Sequence, residues 1–445
     1  MTDERSGGQA REREARGRRR LVGAFAAVVL VAGAAAGVAW WTGGTTDLEQ
    51  EPREEVVEHA VPDAPASPTE EPVATVPETE APLEEVEEEP ELPPTPTWSR
   101  VPHDDDVFGG PERLRMTGVA AGAAGLVAVG GDDGREAAAV WTSPDGEDWS
   151  RLAHDEDTFG GPDRQRMNDV AVGDTGFVAV GNDLGRGAGA VWTSPDGQDW
   201  TRRVHDEATF GGPGNQVMLS VSTAGSGFVA VGGDRGREAA AIWTSPDGEE
   251  WRRVAHDEEV LGGPEAQLML SVTEGEAGLV AVGNDADAVR VWSSPDGDEW
   301  SRAAHDEDVL GGTIRPLMSS VVAAGPGFVA GGHDPLANDA AVWTSPDGQS
   351  WSRVECEGLD ASGPQSMRAL AEGGPGLVAV GRDDAAGTAA VWTSTDGQAW
   401  DRVEDEALAR PGTGMEAVTE GEAGLVAVGY DDGDEGGAAA VWIAD

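Results

Sequence analysis

A ten-residue segment occurs six times in this chain. It begins at 140–149 as VWTSPDGEDW and returns at 191–200, 242–251, 291–300, 342–351 and 391–400. Each copy predicts a β-hairpin, because Val-Trp-Thr favours a strand and Ser-Pro-Asp-Gly supplies the fixed φ, the side-chain cap and the positive φ of a tight turn. A segment repeated in this way is typical of a fold determinant, so it constrains the architecture before any other feature does.

The tryptophans set the period of the repeat. They close the turns at 98, 149, 200, 251, 300, 351 and 400 and precede them at 141, 192, 243, 292, 343, 392 and 442, a spacing of 49 to 51 residues. Within one period we expect four strands: one near a methionine, one of the type GLVAVG, one of the type AAVWT, and one after the second tryptophan. The unbroken apolar run of the second strand predicts that both of its faces are covered.

The phase of the strands predicts how the array closes. The fourth-type strand at Trp98–Val101 precedes the first complete period, and the final period ends on its third strand at Trp442. If these two strands pair, seven four-stranded sheets form a ring that leaves only short edges exposed. We therefore predict an all-β fold, a seven-bladed β-propeller spanning 98–445, in which the N-terminal strand completes the last blade.

Three segments precede this domain. Residues 1–20 hold seven arginines and four acids, 21–41 are uncharged and apolar, and 42–97 carry 17 acids and eleven prolines. The apolar segment is long enough to cross a bilayer as a transmembrane signal anchor, and the arginines before it predict a cytoplasmic N-terminus. We expect a single-pass cell-membrane protein whose propeller lies outside the cytoplasm on a disordered acidic linker. The alternative is a cleaved signal peptide and a secreted protein.

Charge and cysteine content restrict the partners. The chain has a formal net charge of −53 and no lysine, and residues 98–445 carry 62 acids against 22 arginines, a formal charge of −40. Nucleic acid is therefore not expected as a partner. The single cysteine, Cys356, excludes an intrachain disulfide framework. A protein, a cationic ligand or a glycan on an acidic propeller face is the expected partner, besides the membrane that the N-terminal helix would enter.

The hairpin pattern Ser-x-Asp-Gly-x-x-Trp resembles the Asp-box (BNR-type) repeat, although it lacks one residue before the glycine. Gly130-Gly131 followed by Trp141 and Trp149 also resembles a kelch repeat. Both families imply a propeller. Asp-boxes occur in sialidases, other glycoside hydrolases, sortilin-type receptors and photosystem assembly factors, so the resemblance does not choose between enzyme and binding protein. The residues expected to be structural are Ser143, Asp145, Gly146, Trp149, Asp196, Trp200, Asp247, Trp251, Asp296, Trp300, Asp347, Trp351, Asp396 and Trp400.

Acidic loops should gather on one face of the propeller, where the loops between repeats join those after each second strand. The candidate metal ligands are the His-Asp pairs of these loops: His103, Asp104, His154, Asp155, His256, Asp257, His305 and Asp306. No cofactor is predicted as certain, and Ca²⁺ is the ion that such carboxylates suit. The spacing is not that of a calcium loop, and a local turn satisfied within each loop is the alternative interpretation.

Departures from the repeat pattern cluster in its fifth to seventh copies and predict a unique site there. The candidate ligand-binding residues are Arg382, Tyr430, His333, Asp383, Asp384, Asp431 and Asp432. Sialidases, by resemblance, imply an arginine cluster, a tyrosine nucleophile with a glutamate, and an acid Asp, whereas Tyr430 is the only tyrosine in this chain. We predict a non-enzymatic ligand- or protein-binding or sensing module. The alternatives are a degenerate Asp-box glycoside hydrolase and an envelope assembly scaffold.

Overall fold

The computed structural model describes residues 96–445 except 286–287, 312–315, 326, 336, 360–362, 375 and 434–436. The expected cytoplasmic tail, membrane segment and nearly all of the linker lie outside the described residues. Within the described part of the chain, no helix combines the length and the apolar character that crossing a membrane requires.

The strands form seven antiparallel sheets of four strands each, which we number as blades 1 to 7. Blade 1 consists of β2 (Leu114–Gly122), β3 (Gly125–Asp132), β4 (Ala137–Ser143) and β5 (Ser150–Arg151). Blade 2 consists of β6 (Gln165–Gly173), β7 (Gly176–Asp183), β8 (Ala188–Ser194) and β9 (Thr201–Arg202). Blade 3 consists of β10 (Gln216–Ala224), β11 (Gly227–Asp234), β12 (Ala239–Ser245) and β13 (Arg252–Arg253). Blade 4 consists of β14 (Leu268–Gly275), β15 (Gly278–Asn284), β16 (Val289–Ser294) and β17 (Ser301–Arg302). Blade 5 consists of β18 (Leu317–Ala324), β19 (Gly327–Asp334), β20 (Asp339–Ser345) and β21 (Ser352–Val354). Blade 6 consists of β22 (Gln365–Gly373), β23 (Gly376–Asp383), β24 (Thr388–Ser394) and β25 (Asp401–Arg402). Blade 7 consists of β26 (Thr413–Gly421), β27 (Gly424–Asp431), β28 (Ala438–Ala444) and β1 (Trp98–Arg100). The described parts of the loops between blades contain one helical turn, α1 (Glu307–Leu310), and two 3₁₀ turns, Glu357–Leu359 and Glu406–Leu408.

The seven sheets close into a ring, which confirms the predicted seven-bladed propeller. The first strands of consecutive blades contact one another and β26 contacts β2, so these strands surround the axis. β1 completes blade 7 by pairing with β28, with Trp98 opposite Ala444 and Arg100 opposite Trp442. Trp98 is 2% exposed, and its backbone N–H donates to Asp405 at 3.1 Å.

The apolar core lies between blades rather than inside one. Each of its seven clusters joins two neighbours: Met116 of blade 1, for example, packs with Val428 and Val441 of blade 7. A single blade therefore buries its apolar faces only when both neighbours are present, as expected for a repeat protein. The second strands are buried on both faces, as their sequence predicts.

The repeated hairpins hold themselves together. In the first, the Ser143 hydroxyl accepts the Gly146 N–H at 2.8 Å, and Asp145 accepts the N–H groups of Glu147 and Asp148 at 3.0 and 2.9 Å. The Trp149 indole donates to the Gly146 carbonyl at 2.7 Å. The N–H groups of residues 148 and 147 lower the pKa of Asp145. All of these hydrogen bonds lie within the turn, which gives the motif a structural role here.

Candidate functional site

The candidate site lies on the propeller axis, beside the methionine near the start of each first strand. The residue before the methionine pairs across the sheet with the penultimate or last residue of the second strand. We call these pairs the axial ring: Arg115–Gly131, Arg166–Asn182, Val217–Gly233, Leu268–Asn284, Leu317–His333, Ser366–Arg382 and Gly414–Tyr430. A β-bulge follows the methionine in all seven blades. Bulges re-aim side chains, and here the extra residue is Arg368 in blade 6 and Glu416 in blade 7.

Tyr430 joins three blades at this ring. The Arg382 Nη1 donates to the Tyr430 hydroxyl at 2.6 Å, and the Arg115 guanidinium lies 3.9 Å from the centre of the tyrosine ring. Cation–π contact of this kind fixes the orientation of a guanidinium. A Cβ at position 414 would come 2.6 Å from the tyrosine oxygen, so only glycine leaves room for this arrangement. Asp384 and Asp432 lie at the outer edge of the pair, 3.1 Å from Arg382 and 2.6 Å from Arg115.

The charges of four arginines act on Glu416. Burial raises the pKa of Glu416, and the charges of Arg368, Arg115, Arg166 and Arg382 oppose that rise. Burial likewise lowers the pKa of Arg166, while the charge of Glu416 acts in the other direction. A partly dehydrated cluster of guanidinium groups is thus concentrated on the axis of a domain whose formal charge is −40.

Some polar atoms of this cluster are unsatisfied. Within the described residues, the Nε of Arg115 and the Oγ of Ser366 are buried without a hydrogen-bond partner. Ser366, 4% exposed, sits in the ring directly opposite Arg382. A buried polar group without a partner costs about 1–3 kcal/mol. The cluster therefore offers hydrogen bonds that a bound molecule or water would complete.

In blades 2 to 5, the side chain two residues after the methionine links its blade to the next one. Asp169 of blade 2 accepts the N–H of Val221 in blade 3 at 2.9 Å and that of Val170 at 2.8 Å. Ser220, Ser271 and Ser320 each accept one N–H from the following blade in the same way. Burial raises the pKa of Asp169 to about 6, although these N–H groups lower it.

The structure brings together part of the site predicted from sequence. Arg382, Tyr430, Asp384 and Asp432 form the contacts described above. Asp431 instead is buried in its own blade, where it pairs with Arg100 and Arg410 at 2.7 Å each. Burial would raise the pKa of Asp431, but these partners and the Gly433 N–H lower it.

Asp383 and His333 also take part in contacts within and between blades. Asp383 accepts the Ala386 N–H at 2.8 Å and the Gln365 amide at 3.3 Å. His333 belongs to the axial ring, and its Nδ1 lies 2.7 Å from the Gln365 carbonyl oxygen. Asp383 therefore supports its loop, whereas His333 borders the candidate site next to Ser366.

The candidate metal ligands do not pair as His-Asp neighbours. Each histidine Nε2 contacts the acid two residues further on: His103 with Asp105, His154 with Glu156, His256 with Glu258 and His305 with Glu307, at 2.9–3.1 Å. Asp104, Asp155, Asp257 and Asp306 instead accept backbone N–H groups of their own loops. Among the described residues, no group of three or more potential metal-binding side chains is present. This geometry favours the local-turn interpretation.

Surface clefts outside the axial ring have different linings. One in blade 1, of about 200 Å³, is lined by Asp132, Arg135 and Arg151. Asp132 and Arg135 form an ion pair at 2.5 Å inside that blade, and comparable pairs recur in blades 2 and 3. In the described part of the chain, Asp132, Arg135 and Arg151 have no buried polar atom without a partner, unlike Arg115 and Ser366, so we place the candidate site on the axis.

Sequence reasoning missed Arg115, Arg166, Ser366, Arg368 and Glu416. They occupy the positions immediately before and after the repeated methionine. A signal was present, since these two positions vary in charge from copy to copy while the methionine between them does not. An alignment of the seven copies on the methionine exposes that variation.

Comparisons with known proteins report on the fold. No protein-family model matches the chain, and no curated protein matches it. Among solved structures, YCF48 from Cyanidioschyzon merolae is 15% identical with a TM-score of 0.50, over 78% of this chain and 98% of that one. Trypanosoma rangeli sialidase is 12% identical with a TM-score of 0.42, over 78% and 60% of the two chains. A putative 6-phosphogluconolactonase from Bacteroides uniformis is 11% identical with a TM-score of 0.44, over 72% and 92%. The chain is a seven-bladed β-propeller similar in fold to YCF48, and its resemblance to Asp-box propellers is confirmed at that level.

Proposed function

We propose that the propeller is a binding module whose axial arginine cluster captures an anionic ligand. The observation that carries the proposal is the joining of Arg115 and Arg382 through Tyr430, with the Nε of Arg115 and the Oγ of Ser366 buried and without a partner among the described residues. Guanidinium groups bind carboxylate, phosphate and sulfate through paired hydrogen bonds, and partial burial strengthens such bonds. The acidic loops around the cluster form a second candidate surface, which would bind cations. We rank it below the arginine cluster because carboxylates such as Asp431 already have arginine partners.

Tyr430 prepares this cluster for a ligand. It holds Arg382 by a hydrogen bond and Arg115 by ring stacking. Two guanidinium groups fixed in this way lose little side-chain freedom when a ligand arrives. The surrounding negative charge repels anions at long range, so a ligand must make specific contacts at the axis to be retained.

Oxyanion binding to the full chain tests the proposal. Acetate, inorganic phosphate and sulfate would be titrated at constant ionic strength, with binding followed by calorimetry and by the rise in melting temperature that a native-state ligand causes. At least one should bind, and Arg115→Gln and Arg382→Gln should each weaken binding about tenfold or more. Arg252→Gln is the matched control, because Arg252 is exposed on the outer strand of blade 3. No binding, or equal binding by all variants, would contradict the proposal.

A glycoside hydrolase is the second candidate, because the tyrosine, glutamate and arginines that the sialidase resemblance implies now lie near one another. Tyr430 would be the nucleophile and Glu416 its partner. In this structure the Tyr430 hydroxyl is bound to Arg382 and the residue is 5% exposed, which favours binding over catalysis. Turnover of a fluorogenic glycoside that Tyr430→Phe abolishes would establish the enzyme.

We further propose that residues 1–97 hold the propeller outside the membrane, as the arginines, apolar segment and acidic linker favour. Protease added to intact cells should then remove the propeller, and protection from the protease would contradict this location. Crosslinking followed by pull-down from membranes would separate a scaffold from a small-molecule binder, since a scaffold gives a stoichiometric protein partner.

A further inference from the structure

The axial ring is divided into a charged half and an apolar half. Blades 6, 7, 1 and 2 contribute the arginines, Tyr430, Glu416 and Ser366. On their first strands, blades 3 to 5 contribute aliphatic side chains at five of the six positions that flank the methionines, the sixth being Ser319, while their second strands add Asn284 and His333 to the ring. We call these aliphatic side chains the leucine arc: Val217, Leu219, Leu268, Leu270 and Leu317.

The leucine arc keeps part of its surface open. Leu219, Leu268 and Leu317 are only half-buried, although among the described residues just two large apolar side chains, Leu184 and Val204, count as exposed. Leu268 lies over Gly233, where an added Cβ would come 2.7 Å from its Cδ1. Aliphatic side chains thus border the axis at the same level as the arginines opposite.

The fold does not require aliphatic residues at these positions. In the same register the other blades carry Arg115, Arg166, Ser366 and Gly414, and their sheets have the same strand order. Leaving apolar surface in contact with water costs about 25 cal/mol per Å². The presence of aliphatic side chains in the arc is therefore better explained by a bound ligand that covers them than by packing between blades.

Resting on the proposed anion site, we infer that its ligand is an amphiphilic organic acid: a carboxylate head joined to a short aliphatic chain or ring. The head lies on Arg115 and Arg382 and accepts the unmet bonds of Arg115 Nε and Ser366 Oγ. The apolar part lies across the axis on Leu268 and Leu317. A site with this division selects against inorganic oxyanions, which gain nothing from the arc, and against neutral alcohols, which gain nothing from the arginines.

A homologous series tests the inference on the full chain. Acetate, butanoate and hexanoate would be titrated by calorimetry, with 1-hexanol as the ligand that lacks the acid. Each methylene buried on the arc should tighten binding roughly fourfold, so hexanoate, with four more methylenes than acetate, should bind on the order of 250-fold more tightly. Leu268→Ser and Leu317→Ser should remove most of that gain and leave acetate unaffected. Serine already occupies this register at Ser366, so the fold accommodates it, and Leu184→Ser is the matched control off the axis.

The outcomes separate this inference from the proposed function. If acetate binds but the series is flat, the amphiphilic ligand is wrong and the anion site stands. If hexanol binds as tightly as hexanoate, the inference is also overturned, because the head then contributes nothing. If none of the three acids binds, the inference is overturned; if phosphate and sulfate also fail to bind, the proposed function itself fails. A gain with chain length that the serine variants abolish supports the inference.

Discussion

Replacing Asp169 by serine should stabilise the propeller at neutral pH. Asp169 is the one acid in a set of inter-blade contacts that Ser220, Ser271 and Ser320 make in other blades. Burial raises its pKa to about 6 from 3.8. Serine still accepts one N–H from the neighbouring blade but carries no charge into the axis.

The size of the gain follows from the pKa shift. A group whose folded pKa is raised binds its proton more tightly in the folded state, so it destabilises the fold once the pH exceeds the unfolded pKa. The cost grows from about pH 4 to about pH 6 and then stays constant, at about 1.4 kcal/mol per pKa unit, or up to about 3 kcal/mol here. Asp169→Ser should therefore raise the free energy of unfolding by about 2–3 kcal/mol at pH 8, and the gain should vanish below about pH 4.

Urea unfolding followed by tryptophan fluorescence measures this at several pH values. Asp174→Ser removes the same charge from an exposed turn of the same blade and should change the stability by less than about 0.5 kcal/mol. Equal stability of wild type and Asp169→Ser at pH 8 would refute the reasoning. So would a gain of the same size at pH 4, because that gain would not come from ionisation.

Three further outcomes are expected. Burial would raise the pKa of Asp234, but hydrogen bonds from Gln216, Arg237 and Arg253 lower it to about 2. Asp234→Asn should therefore lower the free energy of unfolding by about 2–3 kcal/mol above pH 4, and by progressively less as the pH falls towards 2. An equal loss of stability at pH 7 and pH 2 in urea titrations would contradict this. Trp98→Ala should lower the free energy of unfolding by about 3–5 kcal/mol in the same titration. The substitution removes from the closing strand an indole that is only 2% exposed. An unchanged urea midpoint would mean that ring closure contributes little to stability. Raising NaCl from about 0.02 to 0.5 M should raise the melting temperature by screening the acidic domain, and Ca²⁺ at constant ionic strength tests whether the acidic loops add to this; a melting temperature indifferent to salt would argue against self-repulsion.

The fold was predictable because every blade repeats one signal. The turn Ser-Pro-Asp-Gly fixes the hairpin locally, and the phase of Trp98 relative to Trp442 specifies the closing pair. The bulge after each methionine was not predictable, because it depends on contacts between blades rather than on local preference. Hydrogen bonds such as that from Thr117 to the Met167 carbonyl, at 2.9 Å, accompany it.

The site was predictable only where it broke a regular pattern. Arg382 and Tyr430 interrupt the otherwise uniform sequence of the second strand, so the sequence marks them as unusual, and the structure joins them. Arg115 and Arg166 lie in the less regular segment before the methionine, and only the register of the sheets shows that they reach the same axis. Asp431 is a predicted ligand-binding residue that the structure instead pairs with two arginines of its surroundings. In a sequence with many acidic residues, nothing distinguishes the carboxylates that are already paired from those that are free to bind a ligand.

The pairing of β1 with β28 has a consequence for how the protein is made. Trp98 emerges from the ribosome long before its partner Ala444, so the first strand must wait while six other sheets form. Once β26 to β28 are made, blade 7 has an open edge until β1 pairs with it, and the β1 of a second nascent chain fits that edge as well as its own does. Crowded synthesis would therefore favour strand-exchanged pairs of molecules, and dilution during refolding would favour the closed monomer.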